Sequence, residues 1–238
     1  GGFRAGTQQI EELLLREFPQ AKVLRMDMDT TKQKDGHEKI LAAFFKRGRQ
    51  IFLWEHRMIV KGHDFGNVTL VGVLAADLSL YADDYRAGER TFQLLTQAAG
   101  RAGRGEKAGE VVIQTYSPEH YSIVAAAKQD YEQFFQEEMT YRALMGYPPA
   151  SQLMAVLVSC KEEELLETAC HYLKAYAETC CKKCERAGTS VQLIGPASPY
   201  VGKVRDTYRR VIYLKSEQEA VLVFLKDQLE QYIEINSG

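Results

Sequence analysis

The sequence predicts an α/β fold, with a mainly parallel sheet in the first half and a small α+β domain in the second. Three observations lead there. The first half alternates short apolar runs with amphipathic helical stretches, the order that builds parallel sheets. One run, Val68-Thr69-Leu70-Val71-Gly72-Val73-Leu74, is near-continuously apolar, as strands covered on both faces are. After Tyr116-Ser117-Pro118 the character changes, and the chain beyond Pro149 reads as strand, helix, strand, strand, helix, short strand. That βαββαβ order is a ferredoxin-like split unit.

The elements follow in order. Residues 6–18 form a helix with acids in its early turns, and Pro19 ends it. Ala21 to Met26 is a short strand, with Asp27, Asp29 and Thr30 at its C-terminal end, where ligands of parallel sheets gather. Capping of the next turn explains Asp29-Thr30-Thr31 equally well. His37 to Arg47 is an amphipathic helix with Ile40, Leu41, Phe44 and Phe45 inward, and Gln50 to Trp54 is a second strand. The apolar run at 68–74 is the third strand, Arg86 to Ala99 a further helix, and 110–115 a fourth strand. Residues 119–145 read as one continuous helix, stopped by Gly146-Tyr147-Pro148-Pro149. Strands at 152–160, 190–195 and 207–215, helices at 161–184 and 216–231, and a short strand at 232–235 complete the chain. The domains are therefore expected at 1–116, 117–147 (a bridging arm) and 148–238.

Bulk numbers narrow the function classes. The chain has 238 residues, 45% hydrophobic and 26% charged, ordinary for a soluble globular protein. Its formal net charge of −2 means that nucleic-acid binding must rest on local patches. No apolar run approaches the ~20 residues of a membrane span. The opening Gly1-Gly2-Phe3-Arg4 carries no signal peptide and reads as mid-sequence. Cys160, Cys170, Cys180, Cys181 and Cys184 are odd in number and crowded, which argues against a disulfide framework. Cys181 and Cys184 have Cys-x-x-Cys spacing, but a structural zinc wants four ligands and no second pair exists. No metal site is expected in this chain, and the thiols read as reduced and cytosolic.

The stretch with the most chemistry is Gln97-Ala98-Ala99-Gly100-Arg101-Ala102-Gly103-Arg104. Each Arg carries a permanent charge and a planar fork of donors that matches phosphate oxygens. Gly100 and Gly103 let backbone approach a ligand closely. Arg101 and Arg104 then suit stabilisation of a transferring phosphoryl group, an effect that can be worth ~10³-fold or more in rate. A flexible basic loop is the plain alternative. The apolar helix before the motif and the apolar strand after it, Val111-Val112-Ile113, favour the catalytic reading. The pattern resembles motif VI of superfamily 2 helicases, in which the Arg pair reaches a nucleotide held on the other motor lobe.

Several stretches together resemble the primosomal protein N′ (PriA) family of replication-restart DNA helicases. They are Gly6 to Glu12, Leu24 to Thr31, Met58-Ile59-Val60-Lys61-Gly62-His63-Asp64-Phe65, Val68 to Leu74, Arg86 to Gln97, the Gly-Arg motif, Gly146 to Pro149, and Ile194-Gly195-Pro196-Ala197. The match covers nearly the whole chain, and Asp84 to Gly105 is its most specific part. The resemblance implies a C-terminal fragment: part of the RecA-like helicase lobe 2, then a C-terminal domain that binds DNA and partners. The phosphate-binding loop, the acidic metal-binding box and a zinc-binding cysteine region would lie upstream. No Gly-x-x-x-x-Gly-Lys-Ser/Thr occurs in this sequence. ATP and Mg²⁺ would be held mainly by the missing lobe, Zn²⁺ by the upstream cysteines, and the 238 residues alone should not hydrolyse ATP.

By position, Gln97, Arg101 and Arg104 match the family's catalytic motif VI, with Gly100 and Gly103 as nucleotide-binding glycines. Gly62 and Asp64 match motif V, which touches nucleotide and couples it to DNA; Lys61 beside them suits a DNA phosphate, and a solvated surface lysine fits equally. One departure stands at Glu55-His56-Arg57, where the family has Gly-Thr-Gln. Codons such as TGG GAA CAC AGG for Trp54 to Arg57 would contain GGA ACA CAG, Gly-Thr-Gln, in a shifted frame, so two compensating sequence errors or a real double frameshift would produce this departure. No function is carried onto residues 55–57.

In the last domain Lys203-Val204-Arg205-Asp206-Thr207-Tyr208-Arg209-Arg210 is the local basic run. Alternation along a strand would put Arg205 and Arg209 on one face and Arg210 on the other. Lys203, Arg205, Tyr208, Arg209 and Arg210 fit a surface that tracks phosphates and stacks bases. A charge-protected edge strand fits equally, and the resemblance tips the balance toward forked and single-stranded DNA. It also implies the single-stranded DNA-binding protein and other primosome proteins as partners, a cytoplasmic, nucleoid-associated setting, and movement 3′ to 5′. The rival reading is a non-catalytic module that docks DNA and proteins.

Overall fold

The computed structural model describes residues 7–26, 51–55, 68–82, 84–102, 108–199 and 201–236. The chain divides into two units, Gly1–Phe65 and Gly66–Gly238. In the first, helix α1 (Thr7–Glu17) leads into β1 (Lys22–Met26), which pairs in parallel with β2 (Ile51–Glu55) from Lys22↔Ile51 to Met26↔Glu55. Ile10 is the buried anchor of α1, and the Phe18 N–H closes its last turn on Leu14 O. The helix expected at 37–47 lies outside the described residues.

The second unit opens with β3 (Leu70–Val73), parallel to β4 (Glu110–Ile113), with Leu70 opposite Glu110 and Val73 opposite Ile113. Val73 and Ile113 face inward. Leu70 and Val112 are 56% and 51% exposed, so among the described residues this face of the pair is left open where its apolar sequence predicts cover on both. Between the strands run a short helix α2 (Asp77–Leu80) and the long α3 (Ala87–Ala99). Thr91, Phe92, Leu95 and Ala98 form the buried stripe of α3, at the helical spacing that one inward face requires.

The stretch expected as one helix at 119–145 is two, α4 (Tyr121–Lys128) and α5 (Tyr131–Met145). Gln129 adopts a left-handed conformation, φ 54°, and Asp130 caps α5 by accepting the Gln133 N–H at 2.9 Å. An Asp side chain able to satisfy a helix's first N–H groups lets the chain restart in a new direction. Ile123, Ala125 and Ala126 of α4 and Phe134 of α5 share a core with Phe92 and Leu95 of α3. Gly146, φ 62°, ends α5, and the Tyr147 N–H returns to Arg142 O at 2.8 Å.

The last segment is an antiparallel sheet of order β5 (Gln152–Cys160), β8 (Thr207–Ser216), β6 (Gln192–Ala197), with β7 (Lys203–Val204) pairing the start of β8. Helices α6 (Glu163–Arg186) and α7 (Glu219–Asn236) cover one face. Leu173, Ala177, Cys180, Cys181 and Cys184 meet Ile212 and Leu214 of the sheet and Leu222, Leu225 and Leu229 of α7. Gly195, φ 106°, marks an irregularity in β6, and a Cβ there would come within 2.7 Å of Val211 O.

The short strand expected at 232–235 is not formed. Those residues are the last turns of α7, so the βαββαβ order lacks its final strand. Ile233-Glu234-Ile235 alternates like a strand, but Leu222, Leu225, Leu229 and Tyr232 keep helical spacing. The stacking of Tyr232 on Tyr176 of α6, centroids 4.2 Å apart, holds that end down.

Candidate functional site

The Gly-Arg stretch begins at the C-terminal end of α3. Gly100 donates to Thr96 O at 2.9 Å, Arg101 to Ala98 O at 3.1 Å, and Ala102 to Ala99 O at 3.2 Å, so helical turns continue past Ala99. Gly100 has φ −65°, a conformation open to any residue. The absence of a side chain, rather than unusual backbone, is what it contributes there. Gln97 is exposed and Arg101 half-buried at this end. Gly103 and Arg104 lie outside the described residues, as do Lys61, Gly62 and Asp64.

The other end of α3 is held tightly. Thr91 Oγ1 bonds Ala87 O and Ser79 Oγ, each at 2.8 Å, and Phe92 stacks on Phe134 at 4.2 Å. Glu89, in the first turn, meets Arg142 Nη2 of α5 at 2.7 Å. Arg142 also donates through Nε to Glu138 at 2.7 Å and through Nη1 to Pro148 O at 2.8 Å. Its side chain is 9% exposed. The Tyr121 hydroxyl donates to the other Glu138 oxygen at 2.7 Å, and burial together with that carboxylate raises its pKa beyond the ordinary phenol range. Gly88 makes room for this pair, since a Cβ would stand 2.8 Å from the Tyr121 hydroxyl.

Sequence reasoning missed Arg142, Glu89 and Glu138. The one available signal was Glu138 and Arg142 at i, i+4 in a helix.

The basic run of the last domain is a hairpin. Arg205 (φ 47°) and Asp206 (φ 62°) are the two turn residues between β7 and β8. Arg205 is therefore at the tip and not, as strand alternation predicts, on one strand face with Arg209; the left-handed pair needed for a two-residue turn takes it out of the strand. Lys203 Nζ lies 3.2 Å from the Tyr208 hydroxyl and 4.3 Å from the ring centroid, with Asp206 at 3.6 Å. The Tyr208 hydroxyl first, and then Asp206, raise the Lys203 pKa above its ordinary value, so this exposed ammonium stays charged.

Arg209 and Arg210 do take opposite faces. Arg210 lies opposite Val158, on the helix-covered side, and pairs with Glu163 and Glu167 of α6. Arg209 lies opposite Ser159 on the other face, its N–H bonded to Gly202 O at 2.8 Å. Charge at Arg210 is thus offset by two α6 carboxylates, while Lys203, with Asp206 beside it, and Arg205 lie toward solvent and Arg209 lies on the sheet face away from the helices.

All five cysteines are free thiols, and Cys170, Cys180, Cys181 and Cys184 are buried. Burial, with neighbouring Cys184 and Cys180, pushes the Cys181 thiol up to about 11, away from metal-binding or nucleophilic chemistry. Among the described residues no group of three or more His, Cys, Asp or Glu is placed to hold a metal ion, and no helix is long and apolar enough to cross a membrane.

Comparisons with known proteins add to this geometry. Residues 143–237 match the family described as "Primosomal protein N C-terminal domain". The chain is 45% identical over 235 residues to "Replication restart protein PriA" of Bacillus subtilis (strain 168), covering 97% of this chain and 28% of that protein. It is 37% identical over 232 residues to the protein of the same name from Synechocystis sp., covering 96% and 27%. With that of Haemophilus influenzae it is 33% identical over 233 residues, covering 98% and 31%. The chain spans under a third of the length of each of these relatives.

Proposed function

We propose, starting from a chain that belongs to the PriA family of replication restart proteins, that it forms part of an ATP-dependent 3′ to 5′ DNA helicase. In this reading it contributes to restarting replication at stalled or forked DNA by primosome assembly. Arg101 and Arg104 meet the terminal phosphates of an ATP·Mg²⁺ held by another lobe, and Gln97 orients the attacking water or the phosphate. Their guanidinium groups stabilise charge spread over the transferring phosphoryl oxygens, where preorganised cations are most effective. Gly62 and Asp64 couple nucleotide to DNA, with Lys61 on a DNA phosphate. Lys203, Arg205, Tyr208 and Arg209 follow the DNA backbone, and the single-stranded DNA-binding protein and other primosome proteins dock on the last domain. The upstream cysteines would hold Zn²⁺.

The observation that carries this reading is the end of α3. There an exposed Gln97 and the half-exposed Arg101 leave a helix whose other end is clamped in a polar, buried network. A flexible basic loop has no need of such anchoring. Alanine at Arg101 or Arg104 in the full-length helicase should abolish DNA-stimulated ATP hydrolysis while DNA affinity stays within about twofold, well inside the tenfold that 1.4 kcal/mol represents. Unchanged hydrolysis would leave a DNA- and protein-docking module as the function. Hydrolysis by the 238-residue chain alone would also overturn the proposal.

A further inference from the structure

We infer that Arg142 is the positioning residue that holds the motif-bearing helix α3 at a fixed angle to the sheet of the last domain. This goes beyond the function proposed above and rests on it only for the consequence in catalysis.

The guanidinium spends its donors on three separate segments. Nη2 meets Glu89 in the first turn of α3, Nε meets Glu138 of α5, and Nη1 meets Pro148 O in the joint that enters β5. The opposite side of that joint is held from β8, where Lys215 Nζ bonds Met145 O at 2.8 Å and lies 3.8 Å above the Tyr147 ring. Tyr147 stacks in turn on Tyr85, just ahead of α3, at 5.4 Å, and the Arg142 guanidinium carbon stands 5.4 Å over that same Tyr85 ring.

Arg142 therefore ties α3 and α5 to the joint, and Lys215 ties the joint to the sheet. Arg alone has donors set in a rigid fork for three directions. A Lys ammonium keeps the charge and loses that geometry. An α-helix rises 1.5 Å per residue, so the twelve steps from Glu89 to Arg101 span roughly 18 Å. A tilt at the clamped turn is then magnified at the motif.

The orientation can be read directly on this chain by residual dipolar couplings of backbone amides. In the wild type the couplings of α3 and of the β5, β8 and β6 sheet should fit one alignment tensor. In Arg142→Lys they should require two, rotated by about 10–20° or more, the tolerance within which catalytic groups must be held. Loss of stability alone would not separate the tensors of a chain that is still folded. If Arg142→Lys does not fold, Glu89→Gln removes only the α3 side of the link and is expected to separate them as well. One shared tensor in whichever of these variants folds would overturn the inference.

In the full-length helicase, Arg142→Lys is expected to lower DNA-stimulated kcat by about tenfold or more with KM for ATP unchanged, as misplacement of a catalytic group does. Separate tensors with unchanged kcat would overturn the positioning role. A wild-type protein without DNA-stimulated hydrolysis would instead strike at the proposed function, and the tensor measurement would still judge the link.

Discussion

Lys215 holds its ammonium 3.8 Å above the Tyr147 ring and donates to Met145 O at 2.8 Å, with only 7% of the residue exposed. Among the described residues no carboxylate pairs with it, so a ring face and a carbonyl supply its compensation. Burial lowers its pKa below 10.5, its ordinary value.

The sign of the resulting pH dependence follows from proton counting. Between the lowered folded pKa and the ordinary unfolded value, the unfolded chain binds more protons, so stability rises with pH across that window. Lys215→Met should remove this alkaline rise. Tyr147→Leu, which takes away the ring, should destabilise by about 1–2 kcal/mol. Urea denaturation of both variants between neutral and alkaline pH measures the two effects.

Asp77 behaves in the opposite sense. It is 5% exposed and accepts the Thr115 hydroxyl at 2.8 Å and the Tyr116 N–H at 2.9 Å. Burial works to raise its pKa, but these bonds outweigh it and hold the carboxyl below 3.8. Its contribution is present above the unfolded pKa and is lost as pH falls through the lowered folded one. Asp77→Asn should cost about 1–3 kcal/mol at neutral pH, and its stability should fall less steeply on acidification than that of the wild type.

Gly88 sits inside α3, where alanine ordinarily stabilises by about 1 kcal/mol. Here a Cβ would lie 2.8 Å from the Tyr121 hydroxyl and 2.9 Å from Glu138 Oε2. Gly88→Ala should therefore destabilise by about 1–3 kcal/mol, the usual cost of overpacking. Adding Tyr121→Phe should recover part of the loss; a Gly88→Ala chain as stable as the wild type would contradict the geometry.

The basic hairpin divides into two kinds of arginine. Alanine at Lys203, Arg205 or Arg209 should each weaken binding to single-stranded DNA and reduce the slope of log K against log salt by about 0.7, one phosphate contact apiece. Arg210→Ala should leave that slope unchanged and instead loosen the start of α6, where Glu163 and Glu167 lose their partner. Salt titrations of DNA affinity beside amide exchange at residues 163–170 separate these outcomes.

Local features carried most of the fold into the sequence. The periodicity of α3 and α6, the stop at Gly146 and the alternation of β5 and β8 depend on neighbours within a few residues, so they were legible. The break at Gln129 and the helical end of α7 were not. At Gln129 two local signals competed, an Asp130 cap against a continuous helical pattern; at the end of α7 the stacking of Tyr232 on the distant Tyr176 won over Ile-Glu-Ile alternation.

The sequence by itself determined the type and place of most elements and the Gly-Arg motif that begins at the end of α3. It also determined the family, because those signals lie in contiguous residues. Only the tertiary structure decided which charges are available. Arg209 and Arg210 are adjacent and chemically identical, yet Arg210 meets carboxylates 47 and 43 positions away while Arg209 faces the other side of the sheet. Arg142 likewise acquires its role from Glu89, 53 positions distant. Electrostatic partnership depends on separation in space, and residues so far apart in the chain acquire that separation only when the fold brings them together.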